Sequence, residues 1–240
     1  MASPLEQFQI DTIAPIRIGN IDASFTNSSL WMVIAITVAT LFLTYSVRHR
    51  QMVPGRMQSI AELGYEFVSN MIRNNVGSGG RPYFPFIFTL FMFVLLGNML
   101  GLIPYSFTYT SHIIVTFGMA IVVFIGTTII AFAKHGLKFF GFFLPHGTPL
   151  LIAPILVPIE ILSYFTRPIS LSLRLFANMT AGHTLLKVFG GFVFAMGFLG
   201  IVPLVATIAL FGLEFLVAFL QAYVFAILTC IYLHDALHMH

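Results

Sequence analysis

Apolar residues run through this chain in long, nearly unbroken stretches. They do not alternate as in half-buried strands or stripe as in soluble helices. Leu30 to Val47 carries no charge. At 1.5 Å per residue it reaches about 27 Å, close to the roughly 30 Å hydrocarbon core of a bilayer. Residues 84–103, with Asn98 inside, and 113–133 read as two further spans, so 84–133 is expected to form a helical hairpin. Residues 57–76 differ. Met57, Ile60, Leu63, Phe67 and Met71 recur near helical spacing, and Glu62, Glu66, Ser69, Asn70 and Arg73 fill much of the other side. That pattern predicts an amphipathic helix lying at the interface. GSGGRP at 77–82 reads as a flexible turn. Residues 139–158 are apolar but broken by Pro145, Pro149, Pro154 and Pro158, which favours a re-entrant or interfacial hairpin over a straight span. From Ile159 onward the chain is apolar again, with Gly190, Gly191, Gly197, Gly200 and Pro203 as a break. That leaves two helices of about 30 residues, each roughly 45 Å long. Neither outer half is polar enough to protrude, so strong tilt is expected.

Composition supports the same class. Of 240 residues, 58% are hydrophobic and 8% charged, against about 25% charged in a typical soluble domain. This excludes a soluble enzyme, a disordered chain and a nucleic-acid module. The expected fold is an all-α integral membrane protein, a single membrane domain over 1–240 with about five membrane helices. Its parts are an exterior segment 1–29, a first span 30–47, the interfacial helix 57–76, the hairpin 84–133, the re-entrant 139–158 and a tilted pair 159–240. Residues 1–29 contain Glu6, Asp11, Arg17 and Asp22 and no apolar core, so they do not read as a cleavable signal. Charge placement sets orientation. Arg48, Arg50 and Arg56 follow the first run and Lys134 and Lys138 the third, while 104–112 holds no Lys or Arg. The basic side is expected to stay in the cytoplasm or matrix, with the N-terminus outside. Cys230 stands alone in an apolar run and reads as a small buried hydrophobe.

Ionisable groups inside a membrane are costly and are functional candidates by default. Here they are Glu160, Arg174, His183, Lys187 and Glu214, with Asp235 and His238 near the end. Ser170 and Asn178 flank Arg174 at i−4 and i+4, giving a polar stripe on an apolar helix. An arginine does not surrender its proton, so Arg174 is a fixed cation, suited to holding a mobile carboxylate ionised. Glu160, His183 and Glu214 can change protonation state. Glu214, Ala218, Gln221 and Phe225 share one helix face, a second polar stripe. Each of these groups could instead serve as a structural hydrogen-bonding residue. His234 and His238 are spaced as a metal pair, but strong sites need further ligands, so a wet helix end is the better reading and no metal or cofactor is expected.

The segment SLSLRLFANMTAGH at 170–183 resembles the signature of the a subunit (subunit 6) of F-type ATP synthases. Glu160, the LEFLVAFLQAYVF stretch carrying Glu214 and Gln221, the terminal YLHDALH and GNMLGLIPYSF at 97–107 extend the likeness from about residue 30 to the end. The resemblance implies the non-catalytic stator half of a proton path, facing a rotating ring of c subunits and held with b-type peripheral stalk subunits. Arg174 matches the essential stator arginine. His183 and Glu214 match the pair lining the half-channel open to the outside, and Asn178 and Gln221 match polar positions beside the arginine. Glu160 and Asp235 match acids of the half-channel open to the inside. In many bacterial members the paired positions carry the acid first and His second. The reversed order here implies an alphaproteobacterial or mitochondrial source, hence a bacterial inner membrane or, alternatively, a mitochondrial one. The competing reading is a proton-coupled secondary transporter, which would be expected to show repeated halves. The arginine segment has no counterpart in residues 30–133.

Overall fold

The N-terminal segment folds into two small antiparallel ladders that lead into the first helix. Thr12–Ala14 (β1) pairs with Phe25–Thr26 (β4), and Arg17–Ile18 (β2) with Ile21–Asp22 (β3). Asn27 ties this segment down: its backbone N–H donates to the Asp11 carbonyl and its side-chain amide to Gln9. The Asn27 carboxamide oxygen also accepts from the Ser28 N–H at 2.8 Å, satisfying one of the free amides that open a helix. The computed structural model describes residues 8–18, 21–22, 24–48, 51–103, 106–136, 139, 141 and 153–238.

The helices that follow are α1 (Asn27–Arg48), α2 (Arg56–Asn75), α3 (Phe84–Gly101), α4 (Ile113–His135), α5 (Ala153–Ala195) and α6 (Ile201–Leu237). Four segments are long and apolar enough to cross a membrane: 27–48, 78–101, 113–135 and 197–237. The longest helix, α5, is not among them; it carries Glu160, Arg167, Arg174 and Lys187. Several threonine hydroxyls within the apolar helices are satisfied locally. Thr37, Thr40, Thr89 and Thr128 each donate to the carbonyl one turn back, which removes the cost of an unpaired hydroxyl in hydrocarbon.

The core is built around α6, which packs against α3, α4 and α5, with one end of α2 laid against α3 and α6. Val68, Met71 and Ile72 of α2 join Ile87, Phe91 and Val94 of α3, Leu171, Leu175 and Met179 of α5, and Phe225 of α6. Ala218, Ala222, Ala226 and Cys230 of α6 are fully buried at successive turns. Small residues at this spacing let neighbouring backbones approach closely, which is how helices gain packing energy in lipid. The thiol of Cys230 is part of that packed seam. The N-terminal part of α2 keeps Met57, Ile60 and Leu63 exposed on the face that patterning assigned to an interface.

Four expectations need correction. GSGGRP is ordered as the start of a 3-10 turn, Ser78–Tyr83, that leads into α3. Ala153–Pro158, assigned to a re-entrant piece, is the beginning of α5. Pro154 lies in the first turn, where its missing N–H costs no helical bond, and Pro158 and Pro168 sit within the continuous helix. Pro145 and Pro149, like Lys138, lie outside the described residues. Gly190 and Gly191 do not break the chain but remain helical in α5. The reversal is confined to Met196 and the 3-10 turn Gly197–Gly200, with Gly197 at φ +55°. The hairpin arms are therefore 43 and 37 residues long, longer than the pattern indicated.

Candidate proton-path site

The α5–α6 hairpin sets two polar clusters at different heights with a single arginine between them. In the cluster nearer the hairpin turn, His183 Nδ1 lies 3.6 Å from Glu214 Oε1. Their side chains are 10% and 4% exposed. The sequence placed these residues roughly equidistant from a turn near residue 198, and the hairpin brings them into contact. The other imidazole nitrogen, Nε2, is 3.0 Å from the Thr108 hydroxyl. Among the described residues neither Glu214 oxygen has a hydrogen-bond partner. The carboxyl group instead lies against the α5 backbone at Gly182, where an added Cβ would come within 2.7 Å of Glu214 Oε1.

That close approach yields a direct expectation. Gly182→Ala should force the Glu214 carboxyl away from its place beside His183 and slow proton transfer through the pair several-fold without unfolding the hairpin. Alanine favours the helix by up to about 1 kcal/mol over glycine, so assembly offers no excuse for the loss. Full activity in Gly182→Ala membranes would show that the carboxyl tolerates displacement.

At the opposite end of the hairpin, Arg167 Nη1 bonds Asp235 Oδ2 at 2.9 Å. The guanidinium also lies 5.4 Å from the Tyr164 ring centre and 5.3 Å from that of Tyr232. These four residues, with Thr127, line a cavity of about 20 Å³, room for one water molecule. Lys134 donates to the Leu237 carbonyl at 3.0 Å, so a cation from α4 caps the C-terminal end of α6. Glu160 is half-buried on α5 at this same end, one turn before Tyr164.

Arg174 sits between the clusters, about 10 Å along α5 from Arg167 and about 13 Å from His183. It is exposed, as are Ser170 and Asn178 on its face. At 100° per residue, His183 points to the opposite side of α5 from Arg174. There it is buried on the same side as Leu175 and Met179. The hairpin thus turns its fixed cation outward and its titratable pair inward. Gln221 of α6 is half-buried, two turns beyond Glu214.

The structure therefore gathers His183 with Glu214 as the sequence expected. It separates Asp235 toward Arg167, and it leaves Arg174 and Asn178 on an open face. Sequence reasoning passed over Arg167, Gly182 and Thr108. None of the three stands in a pattern that spacing alone can read. Asn98 was noted as a polar residue within a span. It donates to the Ala218 carbonyl at 3.1 Å and accepts from the Thr110 hydroxyl at 2.7 Å, joining α3, α6 and the 106–112 loop. In that loop His112 stacks on Phe107 at 5.0 Å, and burial holds its imidazole below the ordinary pKa. His234 and His238 stack on each other at 4.6 Å.

Comparison with known proteins gives one consistent result. Residues 29–234 match the ATP synthase A chain family. The chain is 59% identical to an ATP synthase subunit a of Paramagnetospirillum magneticum, over all of both chains. It is 56% identical to one of Rhodospirillum rubrum, again over all of both. With one of Pelagibacter ubique the identity is 56% over 99% of this chain and 98% of the relative. With residues 29–234 matched and more than half of the positions shared across whole chains, this chain belongs to the ATP synthase A chain family.

Proposed function

We propose that the α5–α6 hairpin carries protons along two offset half-paths that meet at Arg174. As a member of its family the chain is the non-catalytic, proton-translocating subunit of the Fo sector. It is a multi-pass protein of a bacterial inner membrane that works with the c ring and b subunits. In our reading His183 and Glu214 form the outer step, and Glu160 and Asp235 the inner one. Asn178 and Gln221 flank the cation with groups that can hold water or a rotor carboxylate. The long α5 and α6 lie strongly tilted across the bilayer.

The observation that carries this reading is the separation of the clusters along one hairpin, with Arg174 between them and facing outward. A continuous wet path would dissipate the proton gradient, which supplies about 2.3 kcal/mol per charge per 100 mV. Two dead-ended paths conserve it, because a proton must board a rotor carboxylate from one and leave into the other after rotation. Arg174 keeps the passing carboxylate ionised and blocks a direct proton route, since a guanidinium cannot relay protons. The water-sized cavity beside Asp235 and Arg167 supports hydration of the inner end. Reconstituted vesicles separate the alternatives. This reading requires proton flux only when the chain is paired with its c ring. Flux from the chain alone would favour a secondary transporter, and ring-dependent flux indifferent to this chain would leave it a structural role.

Glu160→Gln tests the inner step separately. It should slow ATP-driven proton pumping by a few-fold, a milder loss than any change at Arg174. The residue is only half-buried, so water and neighbouring groups can partly replace it. Unchanged pumping in inverted membranes would make Glu160 structural.

A further inference from the structure

We infer that Thr108 is a positioning residue for His183, anchoring the imidazole through both of its protonation states. This rests on the reading of His183 and Glu214 as the outer proton step. The two residues are 75 positions apart in the chain, yet Thr108 Oγ1 lies 3.0 Å from His183 Nε2. Both are almost fully buried, at 6% and 8% exposure.

The hydroxyl is held in place independently of the histidine. Its loop is fastened directly to α3 and α5: Thr110 bonds Asn98 of α3, which is itself anchored to the Ala218 carbonyl of α6. Thr180 of α5 donates to the Ser111 carbonyl at 3.3 Å, and the Tyr109 hydroxyl donates to the Phe93 carbonyl at 2.8 Å. Gly101 completes the seat, because a Cβ there would overlap the Thr108 side chain. Thr108 is thus a fixed point against which the ring can be aimed.

A hydroxyl suits the task where an amide N–H does not. Its oxygen accepts from Nε2–H both when the ring is charged and when it is neutral after the Nδ1 proton has gone to Glu214. In either state Nδ1 stays turned toward Glu214, so the proton is exchanged on that side without the ring losing its anchor. At 3.6 Å the Nδ1 to Oε1 separation is longer than a direct hydrogen bond. A free ring would swing away at each proton loss, and the step would wait for its return.

The test uses whole ATP synthase in membranes and four variants: Thr108→Val, Thr108→Ser, His183→Ala and Thr108→Val with His183→Ala. Valine keeps the shape and removes the hydroxyl; serine keeps the hydroxyl. We expect Thr108→Val to lower proton-driven ATP synthesis about fivefold to tenfold, the worth of one buried hydrogen bond, and Thr108→Ser to stay within about twofold of the parent. In the His183→Ala background Thr108→Val should cost almost nothing more, because its effect passes through the imidazole. Equal losses from Thr108→Val with and without His183, or parental activity in Thr108→Val beside an impaired His183→Ala, would overturn the inference while leaving the pair's role intact. Parental activity in His183→Ala itself would overturn the underlying reading of the pair. If Thr108→Val does not assemble, Gly101→Ala displaces the same hydroxyl from α3, and the same loss and non-additivity are expected.

Discussion

Arg174→Ala is expected to abolish proton-driven ATP synthesis while the complex still assembles. Both halves of that outcome follow from the placement of the side chain. Arg174 lies on the open face of α5 with Ser170 and Asn178. Its removal leaves no cavity in the packed seam formed by Leu175 and Met179 on the other side. Exposed substitutions away from such seams usually change stability by no more than about 0.5 kcal/mol. Among the described residues Arg167 pairs with Asp235 and His183 contacts Glu214, and neither contact involves Arg174. Its charge is thus available to a carboxylate presented from outside the chain. On the proposed mechanism, its loss leaves nothing to oblige a rotor carboxylate to release its proton at the inner side, and protons can leak between the two paths. Arg174→Lys should rescue poorly, because an ammonium can lose its proton in a dry contact and lacks the planar fork. The measurement is ATP synthesis by energised membranes, with the amount of assembled complex determined in parallel. Near-normal synthesis from Arg174→Ala membranes would remove the central element of the mechanism.

The second large effect concerns exchange of the outer pair. Glu214→His alone places two imidazoles face to face in a buried site and removes its carboxylate; synthesis should fall by at least about tenfold, as expected when a proton-transfer group is lost. His183→Glu combined with Glu214→His restores one acid and one imidazole at the same contact. The double variant should retain clearly more synthesis than Glu214→His. The surroundings permit the exchange: the Thr108 hydroxyl accepts from the imidazole of His183 and can turn to donate its proton to a carboxylate at position 183. The strain of the exchange falls at Gly182, where a larger ring from α6 has little space, so recovery should be incomplete. A double variant no better than the worse single one would mean that the two residues act separately rather than as a coupled pair.

Much of this architecture was legible in the sequence because it follows from local physics. A bilayer requires apolar runs of fixed length with internally satisfied backbones. Accordingly α1, α3 and α4 fall within a few residues of the stretches read from the pattern. Arg174 was recognisable as a fixed cation from its type and its flanking polar residues alone. Proline misled at the start of α5: Pro154 and Pro158 were read as breakers, but the first turn of a helix has no bond for a proline to remove, and Pro158 is carried within the helix. Glycine misled near its end, since Gly190 and Gly191 stay helical and the turn waits for Gly197.

What the chain alone determined, then, is where helices lie, which end of the set is basic and which side chains can carry or hold a charge. Partners across the fold were decided by tertiary packing. Thr108 meets His183, Asn98 meets Ala218, and Arg167 meets Asp235 across separations of 75, 120 and 68 residues. Hydrophobic periodicity is nearly uniform around helices as apolar as α3 and α6, so it does not say how far each is rotated about its axis. That rotation is set by how the alanine seam of α6 and the side chains of α3 and α5 interlock. It alone turns His183 inward against Thr108 and Glu214 and leaves Arg174 facing out.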